Sequence, residues 1–170
     1  MKKVLIPVDE SKGAKEALAL FRSAITPADE VVLLHVPRLQ GSSLMIDMLG
    51  EAELETLKES MRGTKHQAAL EEKAEKILGF FSRKLEGSGP AKVTTMVREG
   101  IVSDVVLQVA KEEAVDLIIM GCGGKRGLDR LISGCATNEV EIRAEVPVLV
   151  AKNDGCEKHV YGWKESYVAQ

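Results

Sequence analysis

Short apolar runs alternate with stretches of helical periodicity, and this alternation limits the fold more than any other feature. Residues 4–8, 31–36, 92–98, 115–120 and 146–150 read as strands. The run Val31-Val32-Leu33-Leu34-His35-Val36 is almost wholly apolar, as expected of a strand covered on both faces. Lys92 to Arg98 is more polar and β-branched, which predicts a position nearer a sheet edge. Between these runs, apolar residues recur at helical spacing. Ser11 is the expected N-cap of a helix over 12–24, with Ala14, Ala17, Leu18 and Phe21 on one face. A long helix is expected over 64–86, with Leu70, Ala74, Ile77, Leu78, Phe81 and Leu85 as its stripe. A third follows Gly100 and carries Val102, Val105, Val106 and Val109; a fourth is expected over about 135–144. Strands alternating with helices build β-α-β units and a parallel sheet.

The chain has 170 residues, which predicts a single domain. Lys and Arg total 23 and Asp and Glu total 26, giving a formal charge of −3. That balance offers no broad basic face for nucleic acid. No apolar run approaches the ~18 residues of a membrane span. The apolar run after Lys2-Lys3 is broken by Pro7 and Asp9, too short for the core of a signal peptide. Cys122, Cys135 and Cys156 are odd in number and form no C-x-x-C pair. A reducing, cytoplasmic setting without a disulfide framework is therefore expected. No spacing among His35, Cys122 and Cys135 suggests a metal site.

In a parallel sheet, ligands bind past the carboxyl ends of the strands. Two segments stand there: Asp9, and the run Gly121-Cys122-Gly123-Gly124-Lys125-Arg126-Gly127. The run fails the P-loop pattern, because Gly124-Lys125 is followed by Arg126 and position 119 is Ile. It fails the dinucleotide fingerprint too, because Arg126 stands where the third glycine belongs. What it does hold is Gly121-x-x-Gly124, nine further residues, and Gly134. Glycines let backbone amides turn inward as an anion nest. Gly134 lies just before a helix whose free N–H groups favour phosphate. Each residue also has a plainer reading: Asp9 as a helix cap, the glycines as turn residues, the cysteines as small core residues.

The spacing G-x2-G-x9-G resembles the ATP-binding signature of the universal stress protein family. Ile6-Pro7-Val8-Asp9, Leu33-Leu34-His35-Val36, Arg98-Glu99-Gly100, Asp116 to Gly121 and Val146-Pro147-Val148-Leu149-Val150 resemble the family's other segments in the same order. The resemblance implies a doubly wound, mostly parallel five-stranded sheet, order 3-2-1-4-5, with helices on both faces. It covers 1–152, with an insertion at 38–63. It implies that Asp9 holds the ribose hydroxyls and that Val8 and Val36 line the adenine pocket. Met120, Gly121, Gly124 and Gly134 would shape the nucleotide site, and Ala136 and Thr137 would meet the phosphates. Cys135 stands where the family has Ser or Thr, and a thiol is a weaker hydrogen-bond partner.

The implied ligand is ATP, with any Mg²⁺ carried on its phosphates. The implied role is a regulatory, nucleotide-dependent interaction module of the stress response. It would form a homodimer through residues 148–152. No general base or catalytic constellation is evident, so an enzyme is not expected. The alternatives are a weak ATPase, and a nucleotide-free interaction protein in which Cys135 marks a lapsed site. Tyr161, Trp163 and Tyr167 are half of the chain's one Trp, two Tyr and three Phe. Their presence in the tail 153–170 predicts that the tail docks.

Overall fold

The structure is a computed structural model. It describes residues 2–25, 28–37, 65–87, 89–90, 92–122 and 136–151, with scattered positions between 52 and 63. Most of residues 38–63, expected to be an insertion, residues 123–135 and those from 152 onward lie outside the described residues.

Among the described residues, these bounded elements alternate: β1 (Lys3–Pro7), α1 (Lys12–Ala24), β2 (Glu30–His35), α2 (Lys65–Leu85), β3 (Lys92–Val97), α3 (Val102–Glu112), β4 (Leu117–Gly121), α4 (Ala136–Arg143) and β5 (Val148–Ala151). The strands form one sheet of order β3-β2-β1-β4-β5, as expected. Every pairing is parallel, with Ile6 opposite Leu33, Leu5 opposite Ile118 and Gly121 opposite Ala151.

Successive residues of a strand face opposite sides, and the two cores divide accordingly. Val4, Ile6, Val31, Leu33 and Ile119 face α1 and α2, where they meet Leu18, Phe21, Leu78 and Phe81. Leu5, Val32, Leu34, Ile118 and Met120 face α3 and α4, where they meet Val105, Val106, Val109 and Val140. Phe21 and Phe81 are 0% and 2% exposed. Full burial of a side chain of this size contributes about 1.5–3 kcal/mol. Phe80 packs edge-on against Phe81, with ring centroids 5.3 Å apart.

Local chemistry sets the boundaries. The Ser11 side chain accepts the Ala14 N–H at 3.2 Å and caps α1. β3 is an edge strand, and its exposed and half-buried side chains match its polar sequence. β5 begins two residues later than its apolar run suggests. Pro147 has no N–H to give the ladder, though its carbonyl still accepts from Ile118 at 3.0 Å. β4 begins after Asp116, whose N–H bonds Lys3 O and whose carboxylate accepts the Lys3 N–H, both at 2.8 Å.

The amino ends of the strands carry a charged cluster. Lys3 Nζ lies 2.6 Å from Glu113 and 3.7 Å from Glu30. Lys92 Nζ lies 3.0 Å from Glu30, which also accepts from Thr94 Oγ1. The hydrogen bond to Glu113 raises the Lys3 pKa, and the hydrogen bond from Lys92 lowers that of Glu30.

Candidate functional site

The sheet order reverses between β1 and β4. β1 leads to α1 on one face, and β3 crosses back through α3 on the other before β4 is laid down. The crevice past the carboxyl ends of β1 and β4 is the switch point, where doubly wound sheets bind ligands.

Asp9 stands at the end of β1. One carboxylate oxygen accepts the Ser11 N–H at 2.8 Å. Ser11 caps the helix itself, so Asp9 is not its N-cap. Its second oxygen has no hydrogen-bond partner among the described residues.

The ends of β1 and β2 are fastened by two bonds. Val8 N–H donates to Leu34 O at 2.8 Å, and His35 Nδ1 lies 2.8 Å from Val8 O. A carbonyl only accepts, so Nδ1 carries the proton. His35 is buried, and this contact satisfies its Nδ1. Among the described residues, no group of three His, Cys, Asp or Glu side chains stands together.

Beside these strand ends is a cavity of about 150 Å³. Asp9, His35 and Val36 line one side; Leu70, Lys73 and Ile77 of α2 line the other. Lys73 Nζ reaches Glu10 at 2.7 Å, beside the cavity. The α2 wall is absent from the sequence-derived site. Its signal was visible: Leu70 and Ile77 belong to the helix stripe, and Lys73 falls on the same face.

Val36 lines the cavity, and Val8 does not. Val8 is buried in the α1 and α2 core, whereas Val36 and Met120 lie in the α3 and α4 core. Each valine stands just past the end of its strand, Val8 after Pro7 and Val36 after His35.

Gly121 ends β4. A Cβ there would overlap the carbonyl of Gly13 in the first turn of α1. This glycine is required by close approach of two backbones. Thr137, in the first turn of α4, is buried and donates through Oγ1 to the Gly121 carbonyl at 3.2 Å. Ala136 begins that helix. Asp9, Met120, Gly121, Ala136 and Thr137 thus belong to the carboxyl ends of β1 and β4 and the start of α4. Gly124, Gly134 and Cys135 lie outside the described residues.

Cys122 corrects the expectation of a chain without disulfides. It is disulfide-bonded, and its N–H donates to Ala151 O at 2.9 Å. No described helix is long and apolar enough to cross a membrane.

Residues 1–152 match the universal stress protein family. The universal stress protein MJ0577 of Methanocaldococcus jannaschii is 33% identical over 156 residues, covering 89% of this chain and 94% of that protein. A second protein of that organism, universal stress protein MJ0531, is 30% identical and covers 89% of this chain and 82% of its own length. The solved structure of MJ0577 superposes with a TM-score of 0.67 at 30% identity, covering 91% of this chain and 98% of that one. A universal stress protein family protein from Arabidopsis thaliana, solved with AMP bound, shares the fold at TM-score 0.59 and 22% identity, covering 91% and 93% of the two chains. The sheet order, the ordered segments and these matches agree: the chain belongs to the universal stress protein family.

Proposed function

We propose that this chain binds an adenine nucleotide, ATP, in the crevice between the ends of β1 and β4, and acts as a regulatory module. The observation that carries the reading is the position of Asp9 at that switch point. One carboxylate oxygen is fixed by the Ser11 N–H, and the other is left for a ribose hydroxyl. The adjoining cavity, about 150 Å³, offers Val36, Leu70 and Ile77 to a flat apolar base. Relatives solved with AMP and with cAMP support the same ligand class. Val8 acts in this reading through its backbone, which holds His35 beside the cavity. Met120 and Gly121 lead into the glycine loop.

Gly124 and Gly134 would bring backbone amides to the phosphates. Ala136 would supply a free N–H of the first helical turn. Thr137 would exchange its hydrogen bond to Gly121 O for one to a phosphate oxygen. Mg²⁺ would arrive on the phosphates. Asp9 is committed to the ribose in this reading, so regulation by occupancy is favoured over turnover.

The working form is a cytoplasmic homodimer paired through 148–152, where β5 is a sheet edge and Leu149 is 36% exposed. The 38–63 insertion and the docked tail 153–170 would give the module its individual partner.

The decisive experiment denatures the purified protein, analyses the released nucleotide, and titrates the emptied protein with ATP. Released adenine nucleotide and saturable binding are expected. Neither release nor binding at millimolar ATP would reject the reading.

A further inference from the structure

We propose that His35 sets the base specificity of the cavity: its Nε2 accepts a hydrogen bond from the exocyclic amine of adenine and disfavours a purine with an oxo group in that place. The proposal rests on the nucleotide reading above and narrows it to one edge of the base. His35 is buried, 6% exposed, yet it lines the cavity between the strand ends and α2. Its Nδ1 donates to Val8 O at 2.8 Å. Its Nε2 has no hydrogen-bond partner among the described residues. Among those residues, no buried side-chain nitrogen or oxygen is left without a partner. Nε2 is therefore not sealed in the core, and it opens on the cavity that the ring lines.

The chemistry of that nitrogen is set by the other. A neutral imidazole carries one proton, and the Val8 carbonyl keeps it on Nδ1. Nε2 then holds a lone pair and no hydrogen, so it needs a donor. Lys73 Nζ, on the facing wall, is paired with Glu10 at 2.7 Å. Val36, Leu70 and Ile77 offer only apolar surface to the flat faces of a base. Polar reading of the base edge thus falls to His35.

A purine carries its ribose and its exocyclic amine at opposite ends. Asp9 and His35 line the same cavity, so one nucleoside can address both: ribose to Asp9, base edge to His35 Nε2. Adenine presents an amine there, which donates. Guanine and hypoxanthine present a carbonyl oxygen at the same ring position, whose lone pairs meet that of Nε2. An acceptor left without its donor in a closed site costs binding, and this cost is what discriminates.

The test titrates the full chain with ATP and with inosine triphosphate, ITP, which differs in that oxo group. ATP should bind at least about tenfold more tightly. His35→Asn keeps an amide donor for the Val8 carbonyl and removes the Nε2 acceptor. It should bring the two affinities together, and thermal denaturation checks that the variant is folded. In the unaltered chain, NMR of the histidine nitrogens should show the His35 Nε2 resonance moving with ATP and not with ITP. Equal affinity for the two nucleotides, a still Nε2 resonance, or a preference that survives His35→Asn in a folded chain would overturn the inference and leave the nucleotide reading intact. Preference for ITP, or binding of neither nucleotide, would reject both.

Discussion

Gly121 and Gly13 meet backbone to backbone, at a separation that leaves no room for a Cβ on Gly121. The contact seats the end of β4 on the first turn of α1, next to Asp9.

Alanine at Gly121 must therefore push α1 off the sheet. Gly121→Ala should destabilise the fold by at least the ~1–3 kcal/mol typical of overpacking. Gly79, inside α2, has open space where its Cβ would stand. Gly79→Ala should stabilise by about 0.5–1 kcal/mol through helix propensity. Urea denaturation of the two variants should shift the midpoint in opposite directions.

Asp9 and Ser11 share one turn but do different work. Asp9→Ala should weaken ATP binding about tenfold or more, the scale of a hydrogen bond to a charged group. Ser11→Ala removes the α1 cap, which costs about 1 kcal/mol of stability. It should leave ATP affinity nearly unchanged. Calorimetric titration and thermal denaturation of both variants separate the roles.

The Lys92 hydrogen bond holds the Glu30 carboxyl below its usual pKa. Its contribution to stability is therefore present above the ordinary carboxylate pKa and lost as pH falls through the lowered folded value. Lys3 behaves oppositely. Its pKa is raised, chiefly by the hydrogen bond to Glu113. That contribution is complete below the ordinary lysine value, about 10.4, and fades as pH rises through the folded value. Glu30→Gln should flatten the acid limb of the stability profile and leave the neutral plateau little changed, as expected of a partly solvated pair.

β5 is a sheet edge with Leu149 partly exposed. If that edge pairs the protomers, Leu149→Lys should shift sedimentation from dimer toward monomer at micromolar concentration. An unchanged distribution would place the interface elsewhere.

The strands and helices were legible wherever one residue type served one purpose. Residues 31–36 are nearly all apolar because β2 is buried on both faces. The polar run 92–97 is the edge that its composition predicts. The order of strands came from resemblance, since periodicity cannot say which strands are neighbours. Asp9 was legible as a strand-end residue. The α2 wall of the cavity was not, because Leu70, Lys73 and Ile77 reach the strand ends only through the packing of that helix on the sheet. The reason for Gly121 was hidden too: its neighbour Gly13 is remote in sequence and meets it only through tertiary packing.

The ion pairs around Lys3 and Glu30 stand at the amino rim of the sheet, and the crevice stands at the carboxyl rim. Roughly 16 Å of β1 separates the two rims, beyond the ~10 Å over which substitutions usually couple. One rim anchors the layers while the other is left open to change. A lineage can therefore revise the ligand at Asp9 or the glycine loop, one substitution at a time, without re-earning its fold at each step.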